Sequence, residues 1–173
     1  MNAGASDQLS IRHVRAGESA RLRDVRLAAL AADPDAFAAT HAHEAGLGEA
    51  WWQWWADQSE DGTEQRTFVL VDAADRWLGL ALVRREEPGS ATATLNAMWV
   101  APEARGRRGA LALCAACADW GRAQGMRELT LEVVIGNDSA RRAYEAAGFA
   151  VRGETTWTGH GRTLHELLMV RPL

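Results

Sequence analysis

Strand-like and helix-like segments alternate along this 173-residue chain without a long polar or repetitive segment between them. Short runs rich in apolar and β-branched residues predict seven strands, and apolar residues that recur every three or four positions predict four helices. The strands are expected at Leu9–Val14, Thr67–Val71, Trp77–Arg84, Ala91–Val100, Leu129–Ile135, Phe149–Trp157 and Leu164–Val170. The helices are expected at Glu18–Ala31, Gly48–Gln58, Gly109–Gln124 and Asn137–Ala147.

This order, β-α-α-β-β-β-α-β-α-β-β, predicts a three-layer α/β fold in which a mixed sheet lies between helices. The length suits one domain, so we expect residues 1–173 to form a single unit, with residues 1–8 disordered. The segment Ala36–Ala45 has no clear periodicity and is left unassigned.

The charge pattern argues against a nucleic-acid-binding protein. The formal net charge is −4, and the nineteen basic residues are all arginines that are scattered among acidic residues. No apolar segment is long enough to span a membrane, and residues 1–10 do not resemble a signal peptide. These features predict a soluble cytoplasmic protein with no nucleic-acid or membrane partner.

The chain has two cysteines, Cys114 and Cys117, which form a C-x-x-C pair inside a predicted helix. Redox-active pairs of this spacing usually lie where a strand enters a helix, so buried core thiols are the favoured interpretation. A zinc site would need a second pair of ligands at suitable spacing, and we therefore expect no bound metal.

The loop between the strand that ends at Val100 and the helix that begins at Gly109 has the composition of an anion site. Backbone N–H groups at a helix N-terminus point outwards and attract phosphate, and glycines allow a close approach. The arginines of this loop, Arg105, Arg107 and Arg108, add positive charge. The alternative is an ordinary solvated Arg-Gly turn.

A second polar pair lies in the helix that Asn137 begins. Asn137 is a typical N-cap residue, and Tyr144 follows seven residues later, on the same helix face as Asn137 and Ala140. Both polar groups can therefore face one cleft at the end of the preceding strand. The alternative is a structural cap and a half-buried tyrosine.

Together these segments resemble the GNAT superfamily of acyl-CoA-dependent N-acetyltransferases. Residues 100–110 resemble its V-x-P-x-x-R-G-x-G-x-[GA] motif, and residues 137–149 resemble its N-x-x-[AS]-x-x-x-Y-x-x-x-G-F motif. The resemblance implies a splayed sheet in which the backbone of residues 98–100 holds the pantetheine arm and the amides of residues 105–110 hold the pyrophosphate. The coenzyme-binding residues that it implies are Met98, Trp99, Val100, Arg105, Gly106, Arg107, Arg108, Gly109, Ala110, Asn137, Ala140 and Tyr144.

The resemblance also implies a reaction, in which acetyl passes from acetyl-CoA to a primary amine of a small molecule or peptide within a ternary complex. It implies Tyr144 as the general acid for the departing thiolate. Glu132 is the candidate base, because some members have a glutamate five residues before the asparagine. A solvent-facing Glu132 with water as the base is the alternative, and His160, His165 and Glu44 are weaker candidates for the acceptor side.

Other features leave alternatives open. Arg108 stands where the family usually has a glycine; its side chain either crowds the phosphates, if the position needs a positive φ, or contacts them. For that reason the second hypothesis is a domain that binds acyl-CoA as a ligand or regulator without turnover.

The four indoles between Trp51 and Trp55 fall on one side of their helix, where they either pack on the sheet or line an acceptor pocket. Pairing through the last strand is a possible route to a homodimer.

Overall fold

The computed structural model describes residues 8–173, so the disorder expected for residues 1–8 lies outside the described residues except at Gln8. The predicted order of elements is confirmed. The strands are β1 Ser10–His13, β2 Gln65–Val71, β3 Trp77–Arg85, β4 Thr92–Val100, β5 Glu128–Val134, β6 Ala150–Gly159 and β7 Arg162–Pro172. The helices are α1 Ser19–Ala32, α2 His41–Ala45, α3 Glu49–Asp61, α4 Gly109–Ala123 and α5 Asp138–Ala146. The short helix α2 lies in the segment that the sequence left unassigned.

The seven strands form one mixed sheet in the order β1-β2-β3-β4-β5-β7-β6. Neighbouring strands are antiparallel except for β4 and β5, which are parallel. The last strand, β7, lies between β5 and β6, so β6 is the edge strand on that side. None of the helices in residues 8–173 has the length and apolar character needed to cross a bilayer.

Helices cover both faces of the sheet, which confirms the three layers. A Cβ on Gly109, at the start of α4, would lie 2.6 Å from the Leu70 side chain. On the other face, the Trp55 indole of α3 donates a hydrogen bond of 2.9 Å to the Thr67 hydroxyl. Residues 67 and 70 point to opposite faces of β2 because strand side chains alternate. The helices α4 and α3 therefore lie on opposite sides.

The sheet opens between β4 and β5, as the family resemblance implied. The two strands pair only over residues 92–94 and 128–130, and the hydroxyls of Thr94 and Thr130 lie 3.3 Å apart at the end of this contact. Beyond it, the backbone of β4 from Leu95 onwards has no paired strand on the β5 side. Donors and acceptors are therefore free to bind an extended ligand there, in the manner of an added strand.

A β-bulge marks the same part of β4. Leu82 pairs with Asn96 and Leu80 pairs with Trp99, so the two residues Ala97 and Met98 lie opposite one residue of β3. Ala97 has a φ of 53°, which side chains with a Cβ rarely adopt. Bulges of this kind redirect strand backbone next to functional sites.

The four tryptophans of α3 differ in burial. Trp52 and Trp55 are buried and stacked, with ring centroids 5.7 Å apart. Trp51 and Trp54 remain 43% and 46% exposed. The interpretation as core residues is therefore confirmed for Trp52 and Trp55 and not for Trp51 and Trp54, because the part of the helix that faces the core is narrower than the arc that the four indoles share.

Both cysteines are buried in α4, as the sequence indicated. Burial raises the pKa of Cys114 to about 12, and burial also raises the pKa of Cys117. Thiols that stay protonated are poor nucleophiles, which disfavours a redox role for the C-x-x-C pair.

Candidate active site

A cleft of about 430 Å³ opens where β4 and β5 separate. Its walls come from the end of β4, the loop before α4, the first turn of α4 and one face of α5. Of the expected coenzyme-binding residues, eleven line it: Met98, Trp99, Val100, Arg105, Gly106, Arg108, Gly109, Ala110, Asn137, Ala140 and Tyr144. The expected site residues Arg107 and Glu132 are not among its lining residues.

The loop before α4 turns through two left-handed residues, Gly106 with a φ of 75° and Arg108 with a φ of 62°. The position of Arg108 therefore has the backbone conformation in which a glycine carries no steric penalty and another residue does. No atom outside the adjacent residues lies within 4 Å of the position that a Cβ on Gly106 would occupy, so the loop is open there. The arginine that replaces the usual glycine at position 108 therefore destabilises the backbone conformation of the loop.

The first turn of α4 suits an anionic ligand. Arg108 occupies the N-cap position, and its side chain makes no capping hydrogen bond to the first amides of this helix. Ala110 and Leu111 from that turn line the cleft. Unsatisfied N–H groups at the positive end of a helix dipole attract phosphate, so the residues present fit the pyrophosphate of coenzyme A.

Arg105 already has partners within the protein. Its Nη2 donates to the Asp33 carboxylate at 2.6 Å, and its Nε donates to the Val100 carbonyl at 3.0 Å. The same Asp33 oxygen accepts a hydrogen bond of 2.8 Å from the Trp99 indole. Arg105 therefore holds the loop against β4 and α1. The sequence did not indicate Asp33, whose only signal was that it precedes the proline that ends α1.

Asn137 and Tyr144 both face the cleft from α5. The Asn137 side chain accepts a hydrogen bond of 3.3 Å from the Ala140 amide, which confirms the N-cap. The Tyr144 ring is 8% exposed and meets Phe149 edge-on at 6.0 Å. Within residues 8–173 its hydroxyl makes no hydrogen bond, and burial raises the pKa of Tyr144. The hydroxyl therefore stays protonated and can donate to a ligand.

Glu132 lies on the face of the sheet that α3 covers, opposite the face covered by α4. It is exposed and alternates along β5 with Leu131 and Val133, which are buried. Strand register shows that Glu132 points to the face that α3 covers. Thr67, which contacts α3, pairs with Leu82, and Leu82 pairs with Asn96. Thr94, two residues before Asn96, is on the same face, and its hydroxyl meets that of Thr130, two residues before Glu132.

The other acceptor-side candidates from the sequence have partners of their own. Glu44 is buried and accepts two hydrogen bonds of 2.8 Å from Arg26. The ring of His160 lies 4.5 Å from that of His43, and His165 shares a hydrogen bond with Thr156. Glu44 in particular forms a buried structural ion pair with Arg26.

The loop between α1 and α2 contributes a wall that the sequence did not predict. Ala36 and Phe37 line the cleft. The Arg162 guanidinium, at the start of β7, donates to the backbone carbonyls of Pro34, Phe37 and Ala38. This contact fastens the β6–β7 hairpin to the cleft wall.

Comparison with known proteins identifies a consistent group of relatives. A family model described as "Acetyltransferase (GNAT) family" matches residues 22–149. A search of curated proteins found no match.

Similar solved structures include a GCN5-related N-acetyltransferase from Kribbella flavida, 27% identical, with a TM-score of 0.75 over 95% of this chain and 98% of that one. Another is a phosphinothricin acetyltransferase from Sinorhizobium meliloti in complex with AcCoA, 20% identical, with a TM-score of 0.77 over 95% and 88%. A third is spermidine N-acetyltransferase from Vibrio cholerae in complex with CoA and spermine, 18% identical, with a TM-score of 0.74 over 95% of each chain.

Proposed function

The chain belongs to the acetyltransferase (GNAT) family, and we propose that this acetyltransferase transfers acetyl from acetyl-CoA to a primary amine of a small molecule or peptide. The observation that carries the proposal is the cleft at the β4–β5 opening, which Tyr144 lines from the α5 side and Trp99 and Phe37 line from the side of α1. A thioester on one side of the sheet and an amine on the other can meet in such an opening. Holding two reactants close together in the right orientation lowers the barrier of a two-substrate reaction substantially.

For the coenzyme, we assign the pyrophosphate to the amides of the loop and of the first turn of α4. The unpaired β4 backbone near Met98 and the Asn137 amide group would hold the pantetheine arm. Because Arg105 is bound to Asp33, its part in coenzyme binding is to hold the loop in shape. When bound, acetyl-CoA supplies the thioester carbonyl that the amine attacks.

On the acceptor side, Glu132 is the proposed base. An amine attacks only when its nitrogen is neutral, so Glu132 would take a proton from the ammonium form, directly or through a water molecule. In the whole reaction one N–C bond forms and one C–S bond breaks. The ammonium nitrogen loses two protons. One replaces the proton that Tyr144 donates to the departing sulfur, and the other leaves to solvent.

Tyr144 would donate its hydroxyl proton towards the departing sulfur. Its raised pKa makes it a weaker acid than an ordinary phenol, so the hydroxyl first acts as a hydrogen-bond donor and transfers its proton only as negative charge develops on sulfur. The absence of a protein partner for this hydroxyl within residues 8–173 supports the assignment, since the donor is free for the ligand.

The test is a thiol-release assay with acetyl-CoA and a panel of amines, comparing wild type with Tyr144→Phe. We expect Tyr144→Phe to lower kcat by about a hundredfold, within the usual range for loss of a general acid, with the KM for acetyl-CoA little changed. Because the hydroxyl has no hydrogen-bond partner among residues 8–173, the variant should unfold at the same temperature as wild type. Equal kcat values would refute the role of Tyr144, and a wild type that releases no thiol with any amine would refute the proposed function.

A further inference from the structure

Two carboxylates share one face of the sheet beside the β4–β5 opening. Glu166 on β7 lies directly opposite Val134 on β5, and Glu132 lies opposite Leu168. Residues directly opposite each other in an antiparallel pair point to the same face, as do residues two apart on one strand. Glu132 and Glu166 are therefore diagonal neighbours on the face that contains Thr130. Val134 is the last residue of β5, so the pair lies at the end where the sheet has opened.

Glu166 is a largely buried glutamate without a partner in the described residues. Only 7% of its surface is exposed, yet it forms no hydrogen bond and no ion pair with any residue in the range 8–173. Glu132 also has no such partner there. Burial, together with the charge of Glu132, raises the pKa of Glu166. A carboxylate in such a place is normally paired, because a charge that leaves water without compensation is strongly disfavoured.

Neighbouring groups do not supply the missing positive charge. Arg162, four residues earlier on the same face of β7, donates its guanidinium to the carbonyls of the α1–α2 loop. Thr155 lies directly opposite Glu166 on β6, and its hydroxyl oxygen is buried and has no hydrogen-bond partner. The face thus presents three polar side chains, Glu132, Thr155 and Glu166, that lack partners within the described part of the chain.

The strand that carries Glu166 is connected to the cleft wall. The same Arg162 contact brings the α1–α2 loop over the start of β7, and Phe37 of this loop lines the cleft. Trp157, two residues beyond Thr155, points to the same face, and its ring lies 5.9 Å from that of His160.

We propose that Glu166 and Glu132 together bind the ammonium group of the acceptor, and that this pair selects amines without a nearby carboxylate. The inference rests on the proposed function and adds a residue, Glu166, that neither sequence motif contains. An incoming cation compensates both carboxylates, and Glu132 is then in contact with the nitrogen whose proton it takes. A carboxylate on the acceptor would instead meet two negative charges, which opposes binding.

The test compares three probes of similar length: 1-aminobutane, 1,4-diaminobutane and 4-aminobutanoate. Binding is measured first, as the thermal shift that each probe causes in the protein saturated with coenzyme A, which needs no turnover. The KM and kcat for each probe are then measured by thiol release. The variant is Glu166→Gln, which keeps the shape and removes the charge. Glu154→Gln is the matched control, because Glu154 is exposed and pairs with Leu167 on the opposite face.

We expect wild type to prefer the two cationic probes over 4-aminobutanoate by about tenfold or more in affinity, equivalent to about 1.4 kcal/mol. Glu166→Gln should reduce this preference at least fivefold through the KM for the amine, while the thermal shift caused by coenzyme A remains unchanged. Glu154→Gln should keep the preference. The unchanged response to coenzyme A shows that the variant is folded.

The failures of the two proposals are distinguishable. Thiol release from wild type without any preference for cationic probes, or a preference that Glu166→Gln leaves intact, would overturn the acceptor site and leave the acetyltransfer proposal standing. Selective stabilisation by cationic probes that Glu166→Gln abolishes, without thiol release from any amine, would support the site and refute the proposed reaction. A wild type that none of the probes stabilises or reacts with would overturn the site.

Discussion

Arg105 and Asp33 form an ion pair with an N–O distance of 2.6 Å between residues that are 72 positions apart. The pair joins the loop before α4, which suits phosphate, to the end of α1 on the other side of the sheet. Because Asp33 also accepts the Trp99 indole hydrogen bond, one carboxylate fixes the loop and the end of β4 together.

Asp33→Ala should destabilise the protein. The substitution removes the acceptor of the Trp99 indole and the partner of Arg105, and these losses together predict a decrease of about 1–2 kcal/mol in the free energy of unfolding. Denaturant unfolding measures the change. Asp35→Ala is the control, since Asp35 is exposed, and it should change stability by no more than about 0.5 kcal/mol. Equal effects of the two substitutions would contradict a structural role for Asp33.

Arg108→Gly should stabilise the protein. Arg108 has a φ of 62°, and a glycine in this left-handed conformation avoids the steric cost of a Cβ, which predicts a gain of about 0.5–1 kcal/mol. The neighbouring substitution Arg107→Gly is the control. Arg107 does not have a positive φ, so glycine there relieves no backbone strain, adds freedom to the unfolded chain and should lower stability. A loss of stability in both variants would contradict the strain at Arg108.

The stability difference between wild type and Glu166→Gln should depend on pH. The native state holds the Glu166 proton more tightly than the unfolded chain because its pKa is raised. Between the unfolded and native pKa values the native state therefore binds more protons, and the free energy of unfolding falls as pH rises through this interval.

Glu166→Gln lacks this loss, so it should gain stability relative to wild type as pH rises from the unfolded-state pKa of Glu166 through its raised native pKa, by about 1.4 kcal/mol for each tenfold difference in proton affinity. Denaturant unfolding at a series of pH values measures this difference. A difference that stays constant over the pH range would show that Glu166 has no raised pKa.

Trp55→Phe should be much more damaging than Trp54→Phe. Trp55 is buried and donates to Thr67, so the substitution leaves a cavity and an unpaired buried hydroxyl, which predicts a loss of about 2 kcal/mol or more. Trp54 is 46% exposed, and its substitution should change stability by about 0.5 kcal/mol or less. Unfolding measurements in which both variants lose the same stability would contradict the division of the four indoles into two pairs.

The sequence by itself determined the local features of this protein. The order of strands and helices follows from periodicity, the start of α5 follows from Asn137 as an N-cap, and the buried cysteines follow from their position on an apolar helix face. The two motifs around residues 100–110 and 137–149 indicated the family. All of these signals lie within short stretches of chain, where the spacing of residues is enough to predict their geometry.

Only the tertiary structure decided what the distant parts do together. It paired Arg105 with Asp33, brought Glu166 beside Glu132, and turned Trp51 and Trp54 away from the core. It also gave Arg108 its left-handed backbone. The physical reason is that strand order and register decide which side chains share a face of the sheet, and these depend on the packing of the whole chain. The spacing of residues within one segment does not determine that packing.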